Sequence, residues 1–309
     1  MISGLSANNA QFLASLNVLQ NNLSEADEQL SSGLSVNVAS DAPQSIEDIF
    51  ETRAELGQAT QTAQNLSTIQ SQVQTAGSAV QSAIELLNQA VSLGVEGSST
   101  STTLDTQQNL ASQVQALQAQ LVAISNTEVG GVYVFSGDTS GSPPYQVDTS
   151  SPTGVDQLIT PQQSTLQIAG PSGVTFQISM TAQDLFDQQD SNGNPTANNA
   201  FAALNGLVLA LQSGNTANIT QAVSTLQTAS GYVNNQTGFY GAAENNVSSA
   251  LDLAQKFETQ DQTELSGLED ANSATLAVEV TQDSTDLDAA MSAQAHAPTT
   301  SLFDYLPVT

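Results

Sequence analysis

The chain has 309 residues with no cysteine, no tryptophan and one histidine, which excludes disulfide frameworks, thiol catalysis and cysteine-based metal sites. Its 30 acidic residues face only 2 basic ones, Arg53 and Lys256, so at a net charge of -28 no positive surface for nucleic acid or an anionic membrane can form. Only 10% of residues are charged and 5% aromatic, which implies a surface of Gln, Asn, Ser and Thr over helices packed through Leu, Val, Ile and Ala.

The first predicted element is a long helix with a seven-residue register. Leu5, Phe12, Leu19 and Ala26 form one series, and Leu16, Leu23 and Leu30 the other, with Asn9 at its start. Such alternating spacing marks a coiled-coil seam, narrower than the face of an ordinary globular helix. The stretch LSSGLSVNVASDAPQSI then interrupts the pattern. Gly33 suits the left-handed end of a helix, while Asp41, Pro43 and Gln44 suit the start of another. The segment between reads as a spoke linking two helices.

The second helix is predicted from about Ser45 to Val95, with Leu66, Val73, Val80 and Leu87 interleaving with Ile69, Ala76, Ala83 and Ala90. GVEGSSTSTT breaks it. A third helix carries Leu110, Val114, Leu117, Leu121 and Ile124, and should pack back as an antiparallel hairpin. From Gly130 the pattern changes to Gly, Pro, Ser and Thr with period-two alternation. GGVYVFSG is a predicted strand, SPPYQV the start of an irregular region, and the alternation around GPSG a β-hairpin. DSNGNP is a predicted loop and Ala197–Leu211 a short helix. Heptad spacing returns at Ile219, Leu226, Val233, Tyr240, Val247 and Ala254, and a last helix carries Leu276, Val280 and Leu287.

The expected fold is mainly α: an elongated helical coiled-coil rod built from both termini, with a small β-rich insert. The expected segments are 1–44, an N-terminal coiled-coil helix and spoke; 45–129, a helical hairpin; 130–196, the β-rich insert; 197–262, C-terminal rod helices; and 263–309, a C-terminal coiled-coil helix.

Few residues offer chemistry. His296, flanked by alanines near the chain end, has no second imidazole or thiol with which to hold zinc. GDTSG shares Asp-Thr with aspartic-protease loops but carries an extra serine and has no second copy, so it reads as a turn. Asp184, Asp187 and Asp190 are spaced for a weak calcium loop but lack the closing glutamate, and a solvated acidic loop is the simpler reading. No phosphate loop occurs. The chain is expected to be no enzyme and to use no cofactor or metal. MISGLSANNAQFL has neither a basic leader nor an apolar run, so no secretory signal peptide is expected. The missing cations are consistent with an acidic exterior, in which carboxylates that titrate near about 3.9 and 4.3 lose their charge.

The seams point to packing, within one bundle or between copies. An amphipathic terminal helix held only by one counterpart buries too little to be stable alone and orders on meeting partners. Here the residues resemble a known family. LSSGLSVNVASDAPQSI, AELGQATQTAQNLSTIQ, ISNTEVGGVYVFSG, SGLEDANSATLAVEVTQDSTDLDAAMSAQA and SLFDYL are together similar to the bacterial flagellin family, over both helical ends but only weakly over the β insert. The resemblance implies a structural subunit of the bacterial flagellum, extracellular and exported without a cleaved signal peptide, with a homo-oligomer, other axial proteins and an export chaperone as partners. It implies an inner assembly interface of Leu5, Phe12, Leu16, Leu19, Leu23, Leu30, Leu276, Val280, Leu287, Leu302, Phe303 and Leu306. By position the resemblance also implies Leu30, Gly33, Val36, Val38, Asp41 and Ile46 as the residues of the spoke, which then connects an inner layer of helices to an outer one. GGVYVFSGDTSGSPPYQ and SLFDYL resemble the branch that forms the hook–filament junction, hook-associated protein 3; filament-forming flagellin is the alternative. A secreted acidic binding module, recognising a ligand through the β insert, is a more distant one. The chain departs from the family in having Leu34-Ser35 where a basic residue is usual, and in its near lack of Lys and Arg.

Overall fold

The computed structural model describes residues 2–160, 164 and 167–296; for residues 2–9 it describes the backbone alone. The chain divides into two units, one made of residues 1–58 and 257–309 and the other of 59–256.

The first unit is built from both ends of the chain. Helix α1 (Ile2–Ser32) packs against α7 (Ser273–Ala295). Helix α1 has no Pro or Gly from Leu5 to Ser32, so nothing interrupts its hydrogen-bond ladder until Gly33, whose φ of +75° ends it. The Gly33 N–H donates to the Gln29 carbonyl at 2.9 Å. Helix α7 is capped by Asn272, whose side chain accepts from the Thr275 N–H. The spoke forms a turn: the Asp41 carboxylate accepts from the N–H groups of Asn37 and Val38, at 2.9 and 2.8 Å. Asp41 therefore closes the spoke and does not cap the next helix, correcting the sequence reading. Its carboxylate reaches back to two upstream N–H groups, so it is not available to the N–H groups of the helix that follows. Helix α2 (Ile46–Gly97) begins only after a further turn, with Ile49 and Thr52 buried on its inner side.

The second unit contains the rest of α2, then α3 (Leu104–Ser125), α4 (Ala182–Phe186), α5 (Ala200–Ser213) and most of α6 (Thr216–Glu269). Most heptad residues enter one core, while Leu66 and Ala254 belong to a smaller second cluster with Ala63 and Ala250. Leu66, Val73, Val80 and Leu87 of α2 are buried, as are Leu110, Val114 and Leu121 of α3 and Ile219, Leu226, Val233, Tyr240, Val247 and Ala254 of α6. A period of seven over six repeats puts these α6 side chains on one stripe, which is why a helix made largely of Asn, Gln, Ser and Thr still buries a continuous seam.

Among the described residues, three small antiparallel hairpins lie between α3 and α4. β1 (Glu128–Val129) pairs with β2 (Val132–Tyr133) across Gly130-Gly131, both at positive φ. β3 (Tyr145–Val147) pairs with β4 (Val155–Gln157), and β5 (Gln167–Ala169) with β6 (Thr175–Gln177), placing Ile168 opposite Phe176. The last is the hairpin predicted around GPSG. The β3–β4 hairpin is not foreshadowed in the sequence, because SPPYQV carries no alternation: only Tyr145 and Val155 point inward. Although aromatics are few, six form one chain of ring contacts: Tyr145, Phe201, Phe186, Phe135, Tyr240 and Phe239, with centroids 5.1–6.4 Å apart. These rings join the hairpins to α4, α5 and α6, giving the segment a core that its short strands could not supply alone.

Candidate assembly surface

Sheltered positions on α1 recur at Phe12, Leu16, Leu19, Leu23, Ala26 and Gln29, and every other residue from Ala10 to Ser32 is exposed. On α7 the sheltered residues are Leu276, Val280, Asp283, Leu287 and Ala290, again alternating in steps of four and three. Each helix thus presents one narrow stripe, as the heptads require. Only Ala26 and Leu276 are fully buried, at 4% and 8% exposure; the others stay half-open. Outside the stripes, Leu13, Val18, Val278 and Met291 stand in solvent, Val278 at 70% exposure. One α1–α7 pair leaves much of its apolar surface uncovered.

Leu30 is 39% exposed, and Gln29 takes the sheltered place beside it. The physical cause is the spoke: the Gln29 amide donates to the Ser35 carbonyl at 3.2 Å, which turns that side chain toward the chain reversal. Val36 and Ile46 are half-buried and Val38 is exposed. The side chain of Leu5, and all of Leu302, Phe303 and Leu306, lie outside the described residues.

The spoke is clasped to the corner between α6 and α7. The Ser35 N–H donates to the Glu269 carbonyl at 2.6 Å, and the Ser35 hydroxyl to the same oxygen at 3.0 Å. The Ala271 N–H donates to the Gly33 carbonyl at 2.9 Å, and Leu34 and Asp270 form an isolated antiparallel bridge. Arg53 of α2 adds an ion pair, its Nε 2.6 Å from Glu269 Oε1. The contact is one of charge; the oxygen has no aligned hydrogen-bond donor. Sequence reasoning misses this clasp. The only signal for it is that one of the two cations in the chain sits near a helix start.

The acidic loop does not gather. Asp184 caps α4 in a reciprocal box with Thr181, and Asp190 accepts from the N–H groups of Asn192 and Asn194. Asp187 is buried, where it accepts from the Tyr145 hydroxyl at 2.9 Å, the Asn199 amide at 2.7 Å and the Gln189 amide at 2.8 Å. The expectation of a solvated loop is corrected at Asp187, which ties β3 to the N-terminus of α5. Burial raises the Asp187 carboxyl above its ordinary range, against the lowering by these three donors. Among the described residues no group of three His, Asp or Glu is placed to hold a metal ion. His296 is exposed at the end of α7, its Nδ1 2.9 Å from the Ser292 carbonyl. No helix among the described residues is long and apolar enough to cross a membrane.

Residues 4–140 match the family model of the bacterial flagellin N-terminal helical region. The match takes in nearly all of α1, the spoke, α2, α3 and the first hairpin. No curated protein matches the chain by sequence. Solved structures match by shape. A protein from Vibrio parahaemolyticus assigned as a flagellar hook-associated protein is 15% identical, with a TM-score of 0.63, covering 74% of this chain and 100% of that one. Hook-associated protein 3 from Legionella pneumophila is 12% identical, with a TM-score of 0.59, over 71% of this chain and 98% of that one. FlgL from Xanthomonas campestris is 15% identical, with a TM-score of 0.55, over 70% and 99%. At such identities the likeness is one of fold alone, and it reaches beyond the matched region.

Proposed function

We propose that this chain is a structural subunit of the bacterial flagellum, placed at the hook–filament junction. It would pack against sister copies and other axial proteins through the α1–α7 surface of its first unit. The observation that carries this reading is the half-open seam: two helices with coiled-coil periodicity, paired with each other, yet with only one fully buried apolar residue on each stripe among the described side chains. Apolar stripes of this kind gain most when further helices cover them. The flagellin-type N-terminal region and the junction-protein fold support this placement over filament flagellin and over a ligand-binding module. The role is structural rather than catalytic, and it implies a location outside the cell, delivery through the flagellar export route and an export chaperone that shields the seam.

The deciding experiment is electron microscopy of purified chain added to isolated hooks. Addition of one short tier that then stops growing is the expected result. Continuous growth into long fibres would reassign the chain to the filament, and no addition at all would overturn the axial role.

A further inference from the structure

Helix α5 is apolar on every side. Of its 14 residues only Asn205, Gln212 and Ser213 carry polar side chains, and the Asn205 amide already donates to the Pro152 carbonyl at 2.9 Å. A surface helix turns a polar face to water, whereas one that is apolar all round is built to be covered. Inward, Phe201, Leu204, Leu207 and Leu211 are fully buried. Outward, Gly206 and Leu209 face solvent, Leu209 at 57% exposure. Between that side of α5 and α6 runs an open groove of about 390 Å³, with Gly206, Leu209 and Ser213 on one wall and Asn218, Gln221 and Ala222 on the other. A Cβ on Gly206 would meet nothing within 4 Å, so no neighbour inside the chain requires glycine there, although glycine weakens a helix relative to alanine. Its bare backbone leaves room for close approach from outside.

The groove is also free of charge. No Asp, Glu, Lys or Arg occurs between Asp190 and Glu244, a stretch that holds all of α5 and the first half of α6. All 30 acidic residues therefore lie outside that stretch. Two copies at -28 each repel wherever carboxylates come face to face. The two cations, with Arg53 already paired to Glu269, can answer few of them. A charge-free apolar groove is where one such polyanion meets another without like charges in contact. A basic partner, by contrast, would be drawn to the carboxylates elsewhere on the chain.

We propose that the α5–α6 groove is a docking surface for a second copy of this chain, which covers Leu209 and closes on the backbone at Gly206. This surface rests on the assembly reading above and adds to the α1–α7 seam a contact on the second unit. Its apolar wall supplies the attraction, and its lack of carboxylates lets two strongly acidic molecules come close.

The test adds the full chain to isolated hooks and measures what co-sediments with them. Leu209→Asp, which places a carboxylate at an exposed site on the groove, should lower incorporation at least about tenfold. Leu209→Asn, of the same shape without the charge, should lose less. Leu158→Asp, at an exposed leucine outside the charge-free stretch, should join as the wild type does. A second measurement leaves Leu209 in place. Gln212→Cys, an exposed position on α5 in a chain with no native cysteine, is labelled with a benzophenone maleimide. Illumination of the assembled tier should join two copies of the chain. Incorporation of Leu209→Asp at the wild-type level, or no greater loss than with Leu158→Asp, would overturn this surface and leave the assembly reading standing. So would a photoproduct with a hook protein in place of a second copy, or no intermolecular product. A wild type that fails to join the hooks would overturn the assembly reading, and this surface with it.

Discussion

Arg53 and Glu269 meet with Nε and Oε1 2.6 Å apart, joining the start of α2 to the last residue of α6. The pair is asymmetric: the Glu269 side chain is 8% exposed and that of Arg53 48%. Removing the two partners should therefore have unequal effects. Arg53→Leu leaves a buried carboxylate without its cation and should destabilise the first unit by about 1–3 kcal/mol, whereas Glu269→Gln leaves a hydrated guanidinium and should cost about 1 kcal/mol or less. Urea denaturation monitored by a probe on α7 measures both, and equal losses would argue against this account.

The buried Asp187 predicts a pH dependence for the second unit. Its carboxyl is raised by desolvation, so the folded state binds the proton more tightly than the unfolded chain does. That contribution is fully present below the unfolded value near about 3.9 and is lost as pH rises through the higher folded value. The melting temperature should accordingly fall as pH rises through this window. In Asp187→Asn that slope should be absent. The Tyr145 hydroxyl, held protonated by burial and by the neighbouring carboxylate, plays no part in it.

Tyr145→Phe isolates the hydrogen bond from the ring. The phenyl group keeps the contact with Phe201, 5.1 Å between centroids, while Asp187 loses one of three donors. A loss of about 1–2 kcal/mol in the stability of the second unit is expected, read by chemical denaturation. Tyr145→Ala, which also removes the buried ring, should cost about 3–5 kcal/mol.

Two glycines of α2 should respond oppositely to alanine. A Cβ on Gly94 would lie 2.5 Å from Val223 Cγ2 and 3.1 Å from both Leu207 methyls, so the helices approach too closely there for a side chain. Gly94→Ala should lose about 1–3 kcal/mol to overpacking despite its better helix propensity. At Gly57 nothing stands within 4 Å, and alanine should gain about 0.5–1 kcal/mol. Melting temperatures of the two variants, moving in opposite directions, would bear this out.

The long elements are legible in the sequence because their apolar residues recur at a fixed period. Ile219, Leu226, Val233, Tyr240, Val247 and Ala254 are all buried, as the spacing of seven alone predicts. Seam residues Phe12, Leu16, Leu19 and Leu23 are visible for the same reason. What escapes a sequence reading depends on partners distant in the chain. The β3–β4 hairpin is placed by Tyr145 inserting among Phe201 and Asp187, not by alternation within its strands. The Arg53–Glu269 pair joins residues near opposite ends of the sequence, and no local pattern announces it. Asp283 reads as an ordinary surface acid until the burial of α7 places it within the stripe.

The clasp between Gly33–Ser35 and Glu269–Ala271 also sets a timetable. Ser35 and Glu269 lie 234 residues apart, so a ribosome makes α1 long before the strand-like partner of its spoke. In that interval the helix is without the segment that holds it, while the core of the second unit is being completed. The unit with the sticky stripe thus closes after its neighbour, a delay written into connectivity rather than into any one side chain.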